Sequence, residues 1–276
     1  IGLIKLSNEG SLLFNDHIEK FIDLKGKDSM MEDFINYLIV IIGSILVRSC
    51  GCVINDISDS KIDKQVSRTL NRPLANGSIS IIEAWLFFIL LGILSTSLLI
   101  FTNSLTVKIS IFFALLIMLY PLTKRFLKAP QFFLGITFGS GSLIAYSLQS
   151  SVFSISLAIL YLGIIAWIIS FDTYYALEDK DDDLRININS TAILWGDSAI
   201  KYAQILQIFF YVSLFLIGVM NEFSLYFYLV FVGLLMLFIH QIKLTKENKF
   251  IKCFKINNWI GILAVLSFSL QIFYLS

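Results

Sequence analysis

Ionisable side chains are scarce in this 276-residue chain. Lys, Arg, Asp and Glu make up 15 % of it and the net charge is +1. So little basic excess excludes a nucleic-acid partner. There are two histidines, His17 and His240, too far apart in sequence to suggest a metal site. The three cysteines are scattered: Cys50 and Cys52 lie in an apolar run, and Cys253 in a basic loop. This excludes a disulfide framework and the paired spacing of a zinc site. Of three prolines, Pro121 and Pro130 bracket a basic loop and mark helix boundaries. No signal-peptide pattern opens the chain. It begins with Ile rather than Met, as a fragment or a processed product does.

What the chain has in excess is apolar side chains, 57 % of all residues, with a mean hydropathy of +0.81. A soluble core of this size could not take up so much apolar surface. Apolar runs near 35–53, 80–101, 106–122, 130–149, 153–177, 199–220, 223–242 and 257–275 each approach the ~20 residues of a spanning helix. No alternating barrel pattern appears, and lipid offers the backbone no partner, so helices are expected. The fold expected is an all-α polytopic transmembrane bundle of eight spans.

The connecting loops alternate in charge. Lys61, Lys64, Arg68 and Arg72 follow the first run, and "TNSLT" has no charge. Lys124, Arg125 and Lys128 come next, followed by the neutral "LQSSV". Lys180 and Arg185 are followed by "NEFS", and the last loop holds Lys243, Lys246, Lys249, Lys252 and Lys255. All basic loops therefore fall on one face, which the positive-inside rule makes cytoplasmic. The acid-rich segments share that face. Residues 1–34 read as an atypical segment, and 35–276 as a single transmembrane domain. Leu13, Phe14, Ile18, Phe21 and Ile22 recur at helical spacing, as in a helix lying along the interface.

Two acidic clusters stand out. In "NDISDSKID", Asn55, Asp56, Asp59 and Asp63 would line one stripe of a helix leaving the membrane. In "DTYYALEDKDDDLR", Asp172, Tyr175 or Ala176, Asp179 and Asp183 recur at three or four. Like charges at this spacing repel, so a cation should bind between them. Oxygen ligands on two helices suit Mg²⁺, which combines a few carboxylates with phosphate oxygens of a substrate. Neither stretch has the EF-hand pattern of a Ca²⁺ loop. Arg68 and Arg72, four apart, sit beside the first cluster, where a guanidinium fork matches anionic oxygens. Carboxylates, arginines and an apolar interior together suggest a lipid diphosphate, with its head at the cytoplasmic face and its tail between helices. Loss of diphosphate from an allylic chain leaves a carbocation, and aromatic faces such as those of Tyr120, Trp167, Tyr174 and Tyr175 can stabilise one.

These strings resemble the UbiA family of intramembrane prenyltransferases. "NDISDSKID" matches the family motif N-D-x-x-D-x-x-x-D, and "DTYYALEDKDDD" matches D-x-x-Y-A-x-x-D-x-x-D-D. The similarity continues in "RTLNRPLANG", "YPLTKRFLKAPQFFLG" and "STAILWG". The resemblance implies a nine-helix bundle around a central cavity and two Mg²⁺ ions on the diphosphate. It places Asp59 and Asp63 at one ion, with Asn55 beside it, and Asp179 and Asp183 at the other. Asp56 and Asp172 complete the expected metal set. The resemblance further implies transfer of a polyprenyl chain from polyprenyl diphosphate to 4-hydroxybenzoate, ortho to the hydroxyl. Arg68, Arg72 and Lys180 would face the diphosphate. Arg125, with Lys124 and Tyr175, would hold the acceptor, and Asp182 is the expected base for the ring proton. A bacterial or mitochondrial inner membrane follows as the location. The opening "IGLIKLSNEGSLLF" is short and polar where the family has an apolar first helix, hence eight spans rather than nine. Two alternatives remain open: another aromatic acceptor, or a cation-coupled transporter using the acids as ligands.

Overall fold

The computed structural model describes residues 27–65, 69–123 and 125–275, and every regular element among them is helical. In chain order these are α1 Lys27–Asp59, α2 Ile81–Ser97, α3 Ser104–Thr123, α4 Pro130–Ser147 and α5 Ile155–Glu178. Then follow α6 Lys180–Arg185, α7 Thr191–Trp195, α8 Ala199–Met220, α9 Leu225–Lys246 and α10 Phe250–Leu275. Each of the eight apolar runs forms a long helix. α1 begins at Lys27 rather than near 35, and α10 at Phe250 rather than near 257, because a helix once nucleated extends readily through polar residues. The interfacial segment expected at 13–22 lies outside the described residues.

Among the described residues, seven helical segments are long and apolar enough to cross a bilayer. α4, expected as an eighth span, is diluted by glycine, serine and threonine. Its Gly135, Thr137, Gly139 and Ser140 are buried. This helix packs against α3, and small side chains are what close helix approach requires. Helix starts follow local chemistry. Ser80 and Glu83 form a reciprocal capping box at α2. Asn103 Oδ1 accepts from the Thr106 N–H at 2.9 Å before α3, and Pro130 occupies the first turn of α4.

The chain forms two compact units. The motif unit comprises Ile35–Phe153 and Asp179–Ala199, with most of α1, then α2, α3, α4, α6 and α7. The four-helix unit comprises Ser154–Glu178 and Ile200–Ser276, with α5, α8, α9 and α10. Its core is Phe210, Tyr211 and Leu214 of α8, Leu234 of α9 and Ile260 of α10. Trp167 of α5 stacks on Phe210 at 4.8 Å. Polar groups bind between helices as well: Trp167 Nε1 donates to Asn257 Oδ1 at 2.8 Å, and Gln241 Nε2 to the Cys253 carbonyl at 2.9 Å. In the motif unit, Asn103 Nδ2 donates to the Ser147 carbonyl at 2.6 Å and ties α3 to α4.

The outer surface is apolar. Ile82, Ile93, Leu115 and Val265 are 68, 60, 58 and 67 % exposed. Water would drive such side chains inward; hydrocarbon does not. The protein is an integral membrane protein.

Candidate functional site

α1 carries Asn55, Asp56 and Asp59 in its last two turns and ends at Asp59, whose carbonyl accepts from the Ile62 N–H at 2.8 Å. Asp63 therefore does not continue the helical stripe that its spacing suggests. It opens a single 3-10 turn, Asp63–Gln65. The buried Thr69 hydroxyl donates to the Asp63 carbonyl at 2.9 Å, which occupies an acceptor that a continuing helix would need. The acids still point inward: Asp59 and Asp63 are each 6 % exposed, Asn55 is half-buried, and Lys61 and Lys64 are exposed.

Arg72 is set by backbone turns, its N–H donating to the Thr69 carbonyl and its carbonyl accepting from Asn76, both at 2.9 Å. Its Nη1 reaches Asp56 Oδ1 and Asp63 Oδ2, each at 3.0 Å. One guanidinium thus gathers the helical and the 3-10 part of the first cluster and offsets their repulsion. Arg125, beyond the end of α3, donates from Nη2 to the Ser58 carbonyl at 3.2 Å. The α3–α4 loop is thereby attached to the backbone of the first motif. Arg68 and Lys124 lie outside the described residues.

The second cluster also straddles a helix end. α5 stops at Glu178, and Asp179 leads into α6 with φ −90° and ψ 1°. The Asp183 N–H nevertheless donates to the Asp179 carbonyl at 2.9 Å, which preserves the one-turn offset of the two acids. Asp179, Lys180, Asp182 and Asp183 are half-buried, and Asp182 Oδ1 pairs with Arg185 Nη2 at 3.0 Å. Three acids in the first turn of α6 suit the positive end of its dipole. The first cluster, Arg72, Arg125 and Asp179–Asp183 all belong to the motif unit. Asp172 and Tyr175 stand on α5 in the four-helix unit. There Asp172 is half-buried and the Tyr175 ring packs 5.1 Å from Phe254. Tyr174 and Trp167, two of the aromatic residues considered for a cation, serve as core residues instead.

Sequence reasoning passed over Thr69, the anchor of Asp63. It also passed over Gln131, whose Oε1 accepts from the Thr191 N–H at 3.0 Å and ties α4 to α7. Ser190 before an apolar run was a readable capping pattern, and its hydroxyl does accept from the Ile193 N–H. Arg48, inside the first span, lies over the Phe138 ring at 5.1 Å.

The donor set is hard: carboxylate oxygens, those of Asp59 and Asp63 on buried side chains. Among the described residues no three carboxylate, histidine or cysteine groups converge closely enough to make a metal centre by themselves. An ion there would need further oxygen ligands from a substrate or water, a mode natural to Mg²⁺.

These features define an integral membrane protein that presents buried acids and guanidinium groups at the ends of its helices. The chain belongs to the UbiA prenyltransferase family, whose profile matches residues 28–274. It is 36 % identical over 257 residues to a 4-hydroxybenzoate octaprenyltransferase of Pasteurella multocida, covering 92 % of this chain and 87 % of that one. The solved structure of a UbiA homolog from Aeropyrum pernix K1 shares its fold, with a TM-score of 0.77 at 19 % identity, covering 86 % of this chain and 90 % of that one. A UbiA homolog from Archaeoglobus fulgidus bound to GPP and Mg²⁺ gives 0.66 at 16 % identity, covering 87 % of each chain.

Proposed function

We propose that the protein transfers a polyprenyl chain from polyprenyl diphosphate to 4-hydroxybenzoate, at the ring carbon ortho to the hydroxyl, and releases diphosphate, a step of ubiquinone biosynthesis. The observation that carries this reading is the 36 % identity, over 92 % of the chain, to a relative named for that acceptor. The family match spans both acidic motifs. The likeness to a homolog bound to GPP and Mg²⁺ supports Mg²⁺ as cofactor.

Asn55, Asp56, Asp59 and Asp63 of the first motif, with Asp172, Asp179 and Asp183 of the second, would hold Mg²⁺, which supplies positive charge for the leaving diphosphate. Arg68, Arg72 and Lys180 bind the remaining diphosphate oxygens. Arg125, with Lys124 and Tyr175, holds the acceptor carboxylate and aims the ring. The allylic carbon–oxygen bond breaks, its electrons leave with the diphosphate, and the ring carbon bonds to the allylic carbon. The ring proton then passes to a carboxylate, for which Asp182 is the candidate. The membrane is the bacterial inner membrane, with the acidic motifs facing the cytoplasm.

Membranes from cells expressing the chain, given 4-hydroxybenzoate and labelled polyprenyl diphosphate, should form prenylated product, and chelation of Mg²⁺ should stop it. Absence of product from 4-hydroxybenzoate, with product from another aromatic acceptor, would refute the acceptor assigned.

A further inference from the structure

The α9–α10 hairpin carries a feature that prenyl transfer does not use. Residues 243–255 hold five lysines against one glutamate, and all five lysines are exposed. Loop topology alone calls for basic residues at this end. It does not call for the order in which side chains follow them along each helix. On α10, Lys252, Lys255, Trp259, Ile262 and Leu266 recur at three or four residues and fall within a stripe about 80° wide. All five are exposed, Trp259 at 62 %, Ile262 at 55 % and Leu266 at 42 %. From Lys252 to Leu266 the stripe runs about 21 Å. On α9 cations again precede exposed aliphatic side chains from the loop inward, without the aromatic between them. Lys246 and Lys243 come first, then Ile239, Met236 and Val232, again on one side and exposed. The two helices pack against each other, and their lysines meet at the shared loop.

Cation, interfacial aromatic, then exposed aliphatic is the order in which a phospholipid presents phosphate, glycerol and acyl chains. We infer that the Lys252–Lys255–Trp259 stripe, with Lys243 and Lys246, is a binding surface for anionic phospholipid headgroups of the bilayer leaflet that the loop faces. Set against Glu247 and against Glu178, whose Oε2 accepts from the Ile251 N–H at 3.3 Å, the five lysines leave a surplus of three cations, which selects a net negative headgroup over a zwitterionic one. Each lysine near an anionic membrane surface contributes roughly a five-fold factor in association at low salt. Lys249 contributes less, since its ammonium pairs with Glu247.

The test uses the full chain, extracted from bilayers of equal phosphatidylglycerol and phosphatidylcholine content, with bound lipid counted by native mass spectrometry. The wild type should retain phosphatidylglycerol preferentially. K252Q/K255Q should reduce that preference roughly 25-fold, and K252R/K255R should keep it. The control Lys64→Gln, in another basic loop, should change nothing. Equal retention of the two lipids by wild type, or an undiminished preference in K252Q/K255Q, overturns the inference. So does displacement of the retained lipid by low polyprenyl diphosphate, which would make the stripe a substrate subsite. Prenyl transfer is assayed separately, so a failure of the proposed function reads out independently.

Discussion

Arg72 is the residue on which the first acidic cluster turns. Its Nη1 lies 3.0 Å from both Asp56 and Asp63. Arg72→Ala removes the guanidinium that the buried Asp63 shares with Asp56 and should cost about 1–3 kcal/mol of stability, read as a lowered midpoint of thermal unfolding in detergent. Asp63→Ala and Asp183→Ala should each cut product formation on the order of 10²-fold or more while the protein still inserts; wild-type rates in both would remove the diphosphate site proposed for them. Arg125→Ala removes one charge-assisted contact and should raise KM for 4-hydroxybenzoate about 10- to 100-fold, with kcat changed less. At this scale the residue types were legible, since Asp59, Asp63 and Arg72 stand out as costly groups in an apolar chain. Their contacts were not. No spacing rule says that a guanidinium nine residues downstream of Asp63 also returns to Asp56.

Among elements, the helix ends differ most from what periodicity suggests. The four-residue spacings of Asp59 with Asp63 and of Asp179 with Asp183 looked like helical stripes. The first pair instead straddles the end of α1 at Asp59, and the second lies wholly beyond the end of α5, with Asp179 at the N-cap of α6 and Asp183 in its first turn. Periodicity records which side a residue faces, and a tight turn can preserve that side while the helix stops. Close helix approach is equally hidden. A methyl group on Gly163 of α5 would lie 2.7 Å from the Cβ of Ser213 on α8. Gly163→Ala should therefore destabilise the protein by about 1–3 kcal/mol, and pairing it with Ser213→Gly should restore most of the loss in a thermal-unfolding cycle. The spans were visible because hydrocarbon demands long apolar helices; α4 was legible among them even though its small buried residues, which answer to the neighbouring α3, dilute its apolar character.

For the whole molecule, the alternation of basic and neutral loops carries the topology. In a variant lacking the natural cysteines, Lys249→Cys should resist a membrane-impermeant maleimide in intact cells, whereas Ser150→Cys should react. The opposite labelling would reverse the orientation proposed for the site. The sequence by itself determined that the chain lives in a bilayer, that it is helical, and which acids and cations its connecting segments carry. Those properties depend on local composition and on the solvent the chain must satisfy. Only the tertiary structure decided that Arg72 joins Asp56 to Asp63, that Arg125 holds the Ser58 carbonyl, and that Tyr174 is core rather than catalytic wall. Such contacts are set by where helices stop and how side chains pack between them, and neither is encoded at any fixed distance along the chain.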